Sequence, residues 1–106
     1  MSLINVNELP SFINTRGIET RKVLQRPEIS MINLELKPGE KIESHKVDVH
    51  VTFVVLRGSG RIKIGEQVFE VVPHYVVLCD PGMPMELIGG EEGMSFLNIK
   101  TPNPAA

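Results

Sequence analysis

Glycine and proline punctuate this chain so closely that no long helix fits between them, and the intervening residues alternate with a period of two. Turn signals stand at Arg26-Pro27-Glu28, Lys37-Pro38-Gly39-Glu40, Gly58-Ser59-Gly60, Gly65-Glu66, Pro73-His74, Asp80-Pro81-Gly82-Met83-Pro84 and Gly89-Gly90-Glu91-Glu92-Gly93. Between them the pattern is that of half-buried strands. In Ile29–Lys37, for example, Ile32, Leu34 and Leu36 face one way, and Asn33, Glu35 and Lys37 the other. Further strands are expected over Ile18–Leu24, Val49–Leu56, Arg61–Ile64, Gln67–Val72, Tyr75–Cys79, Met85–Ile88 and Met94–Lys100. Only Asn7-Glu8-Leu9-Pro10 offers a helical turn, and Pro10 with Gly17 stops it from growing. Eight or nine short antiparallel strands predict an all-β sandwich or barrel.

With 106 residues the chain has room for one core but not for two. A formal charge of -2, with both signs interspersed and no basic cluster beside aromatics, speaks against nucleic acid and anionic membranes as partners. No apolar run approaches the roughly 20 residues that span a bilayer. The N-terminus lacks the pattern of a secretory signal, and the single cysteine, Cys79, excludes an intrachain disulfide. A cytoplasmic location is the expectation.

The stretch Gly39–Gly58 organises the rest. It places His45 ahead of the strongest strand pattern, Val49-His50-Val51-Thr52-Phe53-Val54-Val55-Leu56, which closes at Gly58-Ser59-Gly60 as though for a hairpin. If the segment stays extended, His45, Val47, Val49, Val51, Phe53 and Val55 share one face. One imidazole among branched apolar side chains reads as the lining of a pocket.

At this point the residues resemble the cupin family of jelly-roll β-barrels. The first cupin motif, G-x5-H-x-H-x3,4-E-x6-G, finds its first glycine, first histidine and last glycine in Gly39, His45 and Gly58. The second, G-x5-P-x-G-x2-H-x3-N, falls on His74 through Gly89, where Gly82 keeps its position and Pro81 and Pro84 fit a frequent P-G-x-P variant. The resemblance implies a barrel over residues 18–101, with residues 1–17 packed against it and a frayed tail at 102–106. Many cupins hold a divalent metal through two histidines and a glutamate of the first motif and a histidine of the second. Here Val47, Val51 and Met85 stand at three of those four positions, so only His45 keeps a ligand. Such metals normally take several imidazole or carboxylate ligands. The resemblance therefore implies the barrel without a tightly held metal.

His45 is open to two roles. It is either a wall histidine with one ring nitrogen hydrogen-bonded, or a group that contacts a ligand or moves a proton. His50 could join it in a divalent transition-metal site only if a bulge turned it inward, since its parity is opposite. His74 replaces a turn glycine and is expected to be exposed. Met83 and Met85 are adaptable apolar groups suited either to a permissive pocket or to core filling. The expected ligand pocket is thus His45, Val47, Val51, Phe53, Met83 and Met85.

The central strand is apolar on both faces, which calls for cover on the outside; cupins commonly pair by sheet packing, and a homodimer is expected. The functional expectation is a domain that binds a small, mostly apolar molecule near His45. The alternative is a cupin enzyme using His45, either as a metal-free acid or base of isomerase type or with a metal in oxygenase-type chemistry.

Overall fold

Turn residues divide the chain into eight strands, two of them much longer than the spacing of glycines and prolines implies. A computed structural model describes residues 2–105; Met1 and Ala106 lie outside it. A single 3-10 turn, Val6–Glu8, precedes the strands and is capped by the Asn5 side chain, which accepts from the Asn7 amide. The strands are β1 (Phe12–Ile13), β2 (Glu19–Arg26), β3 (Ile29–Leu36), β4 (Lys41–His45), β5 (His50–Ile64), β6 (Gln67–Val71), β7 (Val76–Cys79) and β8 (Met85–Thr101). All pairings are antiparallel: the path runs β1-β2-β3-β8-β5-β6, with β4 also on β8 and β7 also on β5. This is the all-β jelly-roll barrel expected from the sequence.

Strands β5 and β8 serve both halves of the barrel. Residues 50–58 of β5 pair with 94–101 of β8, and residues 60–64 pair with 85–89. The first half of this shared ribbon carries β3 and β7, the second β4 and β6. The register slips between Val55 and Arg57 and again between Gly58 and Gly60, which bends the ribbon. Neither Gly58-Ser59-Gly60 nor Gly89–Gly93 is therefore a turn, contrary to the sequence reading. A Cβ on Gly58 would collide with the Gly93 carbonyl, and one on Gly60 with the Ile88 carbonyl. Close backbone approach demands glycine as strictly as a tight turn does, and composition alone does not separate the two.

The segment around His45 also departs from one extended run. Strand β4 ends at His45, the chain bends at 46–49, and β5 starts at His50. His45 consequently pairs with Met85 in one half of the barrel, while Val51 pairs with Cys79 and Lys100 in the other. From His50 to Val55 the ladder against β8 is unbroken, so no bulge turns His50 inward.

Inward residues of both halves form one core: Leu34, Leu36, Ile42, Val51, Phe53, Val55, Ile62, Ile64, Met85, Leu87 and Phe96 all belong to it. Phe53 and Phe96 meet edge-on at 5.9 Å between centroids. On the other face of β3, Asn33 is buried within a polar network. It accepts from Arg21 Nη1 at 3.1 Å and donates to Ser95 Oγ at 3.2 Å and the Phe96 carbonyl at 3.1 Å. Arg21 also donates to the Leu9 carbonyl at 3.1 Å, tying the N-terminal segment to the barrel. The tail, expected to fray, is held as well. The Asn103 amide donates to the Pro27 carbonyl at 3.1 Å, and its side chain donates to Gln25.

Candidate functional site

His45 stands at the last position of β4, half-buried, on the same face as its ladder partner Met85. Its Nδ1 lies 3.0 Å from the Glu43 carbonyl. A carbonyl can only accept, so Nδ1 carries the proton and Nε2 is left with a lone pair. Burial pushes the imidazole below its ordinary pKa, the Glu43 carbonyl pulls it partly back, and Arg16 and Lys100 push it down further. His45 is therefore neutral at pH 7, a proton acceptor with two cations within Coulombic reach.

The other expected pocket residues divide by depth. Val47 is half-buried beside His45 and packs against the core. Val51, Phe53 and Met85 are at most 1% exposed and pack within the core. Met83 is exposed on the loop after Cys79, and its carbonyl receives the Cys79 thiol at 3.6 Å. Burial raises the pKa of that thiol, with Asp80 adding to the rise. His50 faces outward at the start of β5, with Nδ1 3.8 Å from Asp80 Oδ1 on an exposed surface. His74 is exposed in its turn with φ +78°, the conformation of the glycine it replaces.

The sequence reading passed over three residues of the barrel interior and its rim, two of which, Arg16 and Lys100, lie within Coulombic reach of His45. On β8, Asn98 pairs with Phe53 on one side and Ile32 on the other, and Lys100 pairs with Val51 and Ser30. Paired residues share a face, so Asn98 and Lys100 both point inward with Phe96. Asn98 is 6% exposed, and its Oδ1 is sealed from solvent without accepting any hydrogen bond. Lys100 is half-buried; desolvation lowers its pKa, and Arg16 lowers it further. Arg16 sits on the turn between β1 and β2, where Asn14 Oδ1 accepts from its amide at 2.9 Å. A polar edge above an apolar floor results, richer in positive charge than the sequence reading implied.

The metal positions carried over from the cupin motif do not fit a metal. Val47, Val51 and Met85 offer no hard or borderline donor, and among the described residues no three His, Cys, Asp or Glu side chains converge. A surface cavity of about 680 Å³ is lined by Gly58–Arg61, Glu70, Pro73 and 88–92 and shares no residue with the His45 cluster. Of its charged side chains, Arg61 and Glu70 are paired with each other.

No family model and no curated protein matches the chain. Solved structures do match it. It superposes on an RmlC-like cupin from Shewanella frigidimarina NCIMB 400 with a TM-score of 0.87 at 9% identity, covering 98% of this chain and 93% of that one. KdgF from Halomonas sp. gives 0.86 at 13% identity, over 97% and 94% of the two chains. The polyketide cyclase RemF from Streptomyces resistomycificus gives 0.84 at 17% identity, over 97% and 80%. Strand order, bent shared ribbon and these superpositions agree: the chain folds as a cupin.

Proposed function

We propose that this chain is a small-molecule-binding cupin domain whose ligand enters beside His45. The observation that carries the reading is the state of His45: a neutral ring, half-exposed at the barrel edge, with Nε2 free to accept and Val47 beside it over the apolar core. Such a site, mostly apolar with a few convergent polar groups, is the usual form of a small-molecule pocket. The donor set argues for binding without a tightly held metal. No helix among the described residues is long and apolar enough to cross a membrane. We also propose a homodimer. Tyr75, Val76 and Leu78 on and before β7, with Val68 and Val72 near β6, leave a contiguous apolar surface 44–69% exposed, more than a lone small domain usually shows.

A second reading is an acid–base enzyme, favoured by the same Nε2 lone pair, which is set up to take a proton at pH 7. One of the similar structures is a polyketide cyclase, so the fold accommodates catalysis in at least that protein.

The test is native mass spectrometry and elemental analysis of protein purified without an affinity metal, alongside His45→Ala. A bound organic molecule lost in the variant is the expected result. A stoichiometric transition metal that disappears with the imidazole would overturn the reading.

A further inference from the structure

Strand β7 pairs with β5 and, among the described residues, with no other strand, so its second edge is open. Other border strands carry features that keep such edges from pairing: β4 has Lys41 and Glu43, β6 has Glu70, and β1 is two residues long. Val76-Val77-Leu78-Cys79 has no charge, proline or bulge, and Val76 and Leu78 are 56% and 69% exposed. The Val55 amide donates to the Tyr75 carbonyl at 3.0 Å, which fixes the parity of the strand. Residues 75, 77 and 79 turn their backbone groups to β5, and Val76 and Leu78 turn theirs to the open edge. The neighbours at either end are already committed: the His74 amide donates to the Val55 carbonyl, and the Asp80 carbonyl accepts from the Met83 amide. An open groove of about 500 Å³ runs beside this edge, between β6 and β7. Phe69 lines it; opposite the core residue Ile62, it faces the barrel and is still 37% exposed, because no strand bridges β6 and β7 there.

We propose that two copies of this chain join edge to edge, β7 against β7, antiparallel about a two-fold axis at Val77. The inference rests on the homodimer reading and specifies its interface. With only Val76 and Leu78 free, the register that uses both on both copies sets Val76 of each opposite Leu78 of the other. Each hydrogen-bonded pair exchanges two N–H···O bonds, so about four form across the axis. Shifting the second copy by two residues sets Val76 against Val76 or Leu78 against Leu78, and leaves the other residue facing committed groups. The favoured register also sets the His74 imidazole opposite the Asp80 carboxylate of the second copy, at both ends. Within one chain, among the described residues, the Asp80 side chain meets only His50, 3.8 Å away on an exposed surface, and His74 meets no carboxylate. On the barrel side the two grooves meet, and Tyr75 and Phe69, 52% and 37% exposed in the single chain, gain cover. Pairing uses up the open edge of each copy, so assembly stops at two.

Cysteine cross-linking reads the register directly, in the full chain carrying Cys79→Ser so that the native thiol is silent. Val77→Cys should form a disulfide with its own equivalent, since facing residues on the axis have Cα atoms about 4.5 Å apart. Val76→Cys alone and Leu78→Cys alone should not, because each lies two residues, about 7 Å along the strand, from its equivalent. An equimolar mixture of those two should cross-link, one variant to the other. Leu78→Pro removes an amide hydrogen that only the second copy uses, and should raise the dimer dissociation constant at least tenfold with the core methyl spectrum unchanged. A chain that sediments as a dimer at tens of micromolar but gives any other cross-linking pattern, or keeps its affinity in Leu78→Pro, overturns the edge pairing and leaves the homodimer reading standing. Native chain that stays monomeric there, its edge left to an extended segment of another protein, sinks both.

Discussion

His45 and Met85 face each other across the ladder between β4 and β8, an imidazole opposite a thioether where the cupin motif would set two histidines. Facing residues on one side of a ladder have Cβ atoms about 5 Å apart, close enough to share an ion were both imidazoles. The double variant Val47→His, Met85→His should therefore bind Ni²⁺ or Zn²⁺ at least tenfold more tightly than the native chain in calorimetric titration. Native protein that binds either ion stoichiometrically, with the heat lost in His45→Ala, would contradict the donor-set argument.

The protonation of His45 makes a prediction whose sign follows from its cause. Burial holds the folded-state pKa below the ordinary 6.5, so the unfolded chain takes the proton first. Neutral His45 thus contributes stability that is present above about pH 6.5 and lost as pH falls toward the lower folded value. Because the ring is only half-buried, the slope is a fraction of the one-proton limit of about 1.4 kcal/mol per pH unit. Denaturant midpoints measured from pH 8 to 5 should fall more steeply for the native chain than for His45→Gln. Parallel curves would show that burial does not bias the ring.

Gly58 and Gly82 test what glycine does in this fold. Both have positive φ, +76° and +81°, but a Cβ on Gly82 meets nothing within 4 Å, whereas one on Gly58 runs into the Gly93 backbone. Gly82→Ala should cost about 1 kcal/mol, the price of the left-handed conformation alone. Gly58→Ala should cost about 3 kcal/mol or more, because backbone rather than a flexible side chain must yield. Urea denaturation that ranks the two equally would mean β5 and β8 can separate at the bend.

Local alternation made the strands legible, because it records which residues face a core. Ile32, Leu34 and Leu36 face inward as their spacing implies. The two long strands were hidden since Gly58, Gly60, Gly89 and Gly93 permit close crossing rather than chain reversal. At the site, His45 announced itself as a polar residue in an apolar setting. Asn98 and Lys100 carried the same signal on Met94-Ser95-Phe96-Leu97-Asn98-Ile99-Lys100: buried Met94 and Phe96 set the inward parity, and the next two inward positions are polar. Arg16 had no such signal, since its place near His45 depends on how the β1–β2 turn meets the other half of the barrel.

The outer surface yields a prediction about assembly. Leu78 pairs with Thr52, and Val76 with Val54, on the side of β5 and β7 away from the core, and Leu78 and Val76 are 69% and 56% exposed. The native chain should sediment as a dimer at tens of micromolar. Leu78→Glu should sediment as a monomer with an unchanged far-ultraviolet spectrum, because a carboxylate there is harmless in water and costly in an apolar interface. A monomeric native chain would contradict the proposal directly.

The network around Asn33 gives the last expectation. Its amide joins β2, β3 and β8: it accepts from Arg21 and donates to Ser95 Oγ and the Phe96 carbonyl, and the Ser95 hydroxyl in turn donates a hydrogen bond to Glu35. Glu35 in turn holds Arg57 of β5 at 2.8 Å, so one amide anchors polar groups from four strands. Asn33→Ala leaves Arg21 and the Phe96 carbonyl without that partner in a place water scarcely reaches, which should cost about 2–3 kcal/mol. Ser95→Ala removes one hydroxyl at the edge of the same network and should cost about 1 kcal/mol. If the double variant loses as much as the two single losses added together, the groups act independently; a smaller loss shows the coupling that the continuous chain of hydrogen bonds implies.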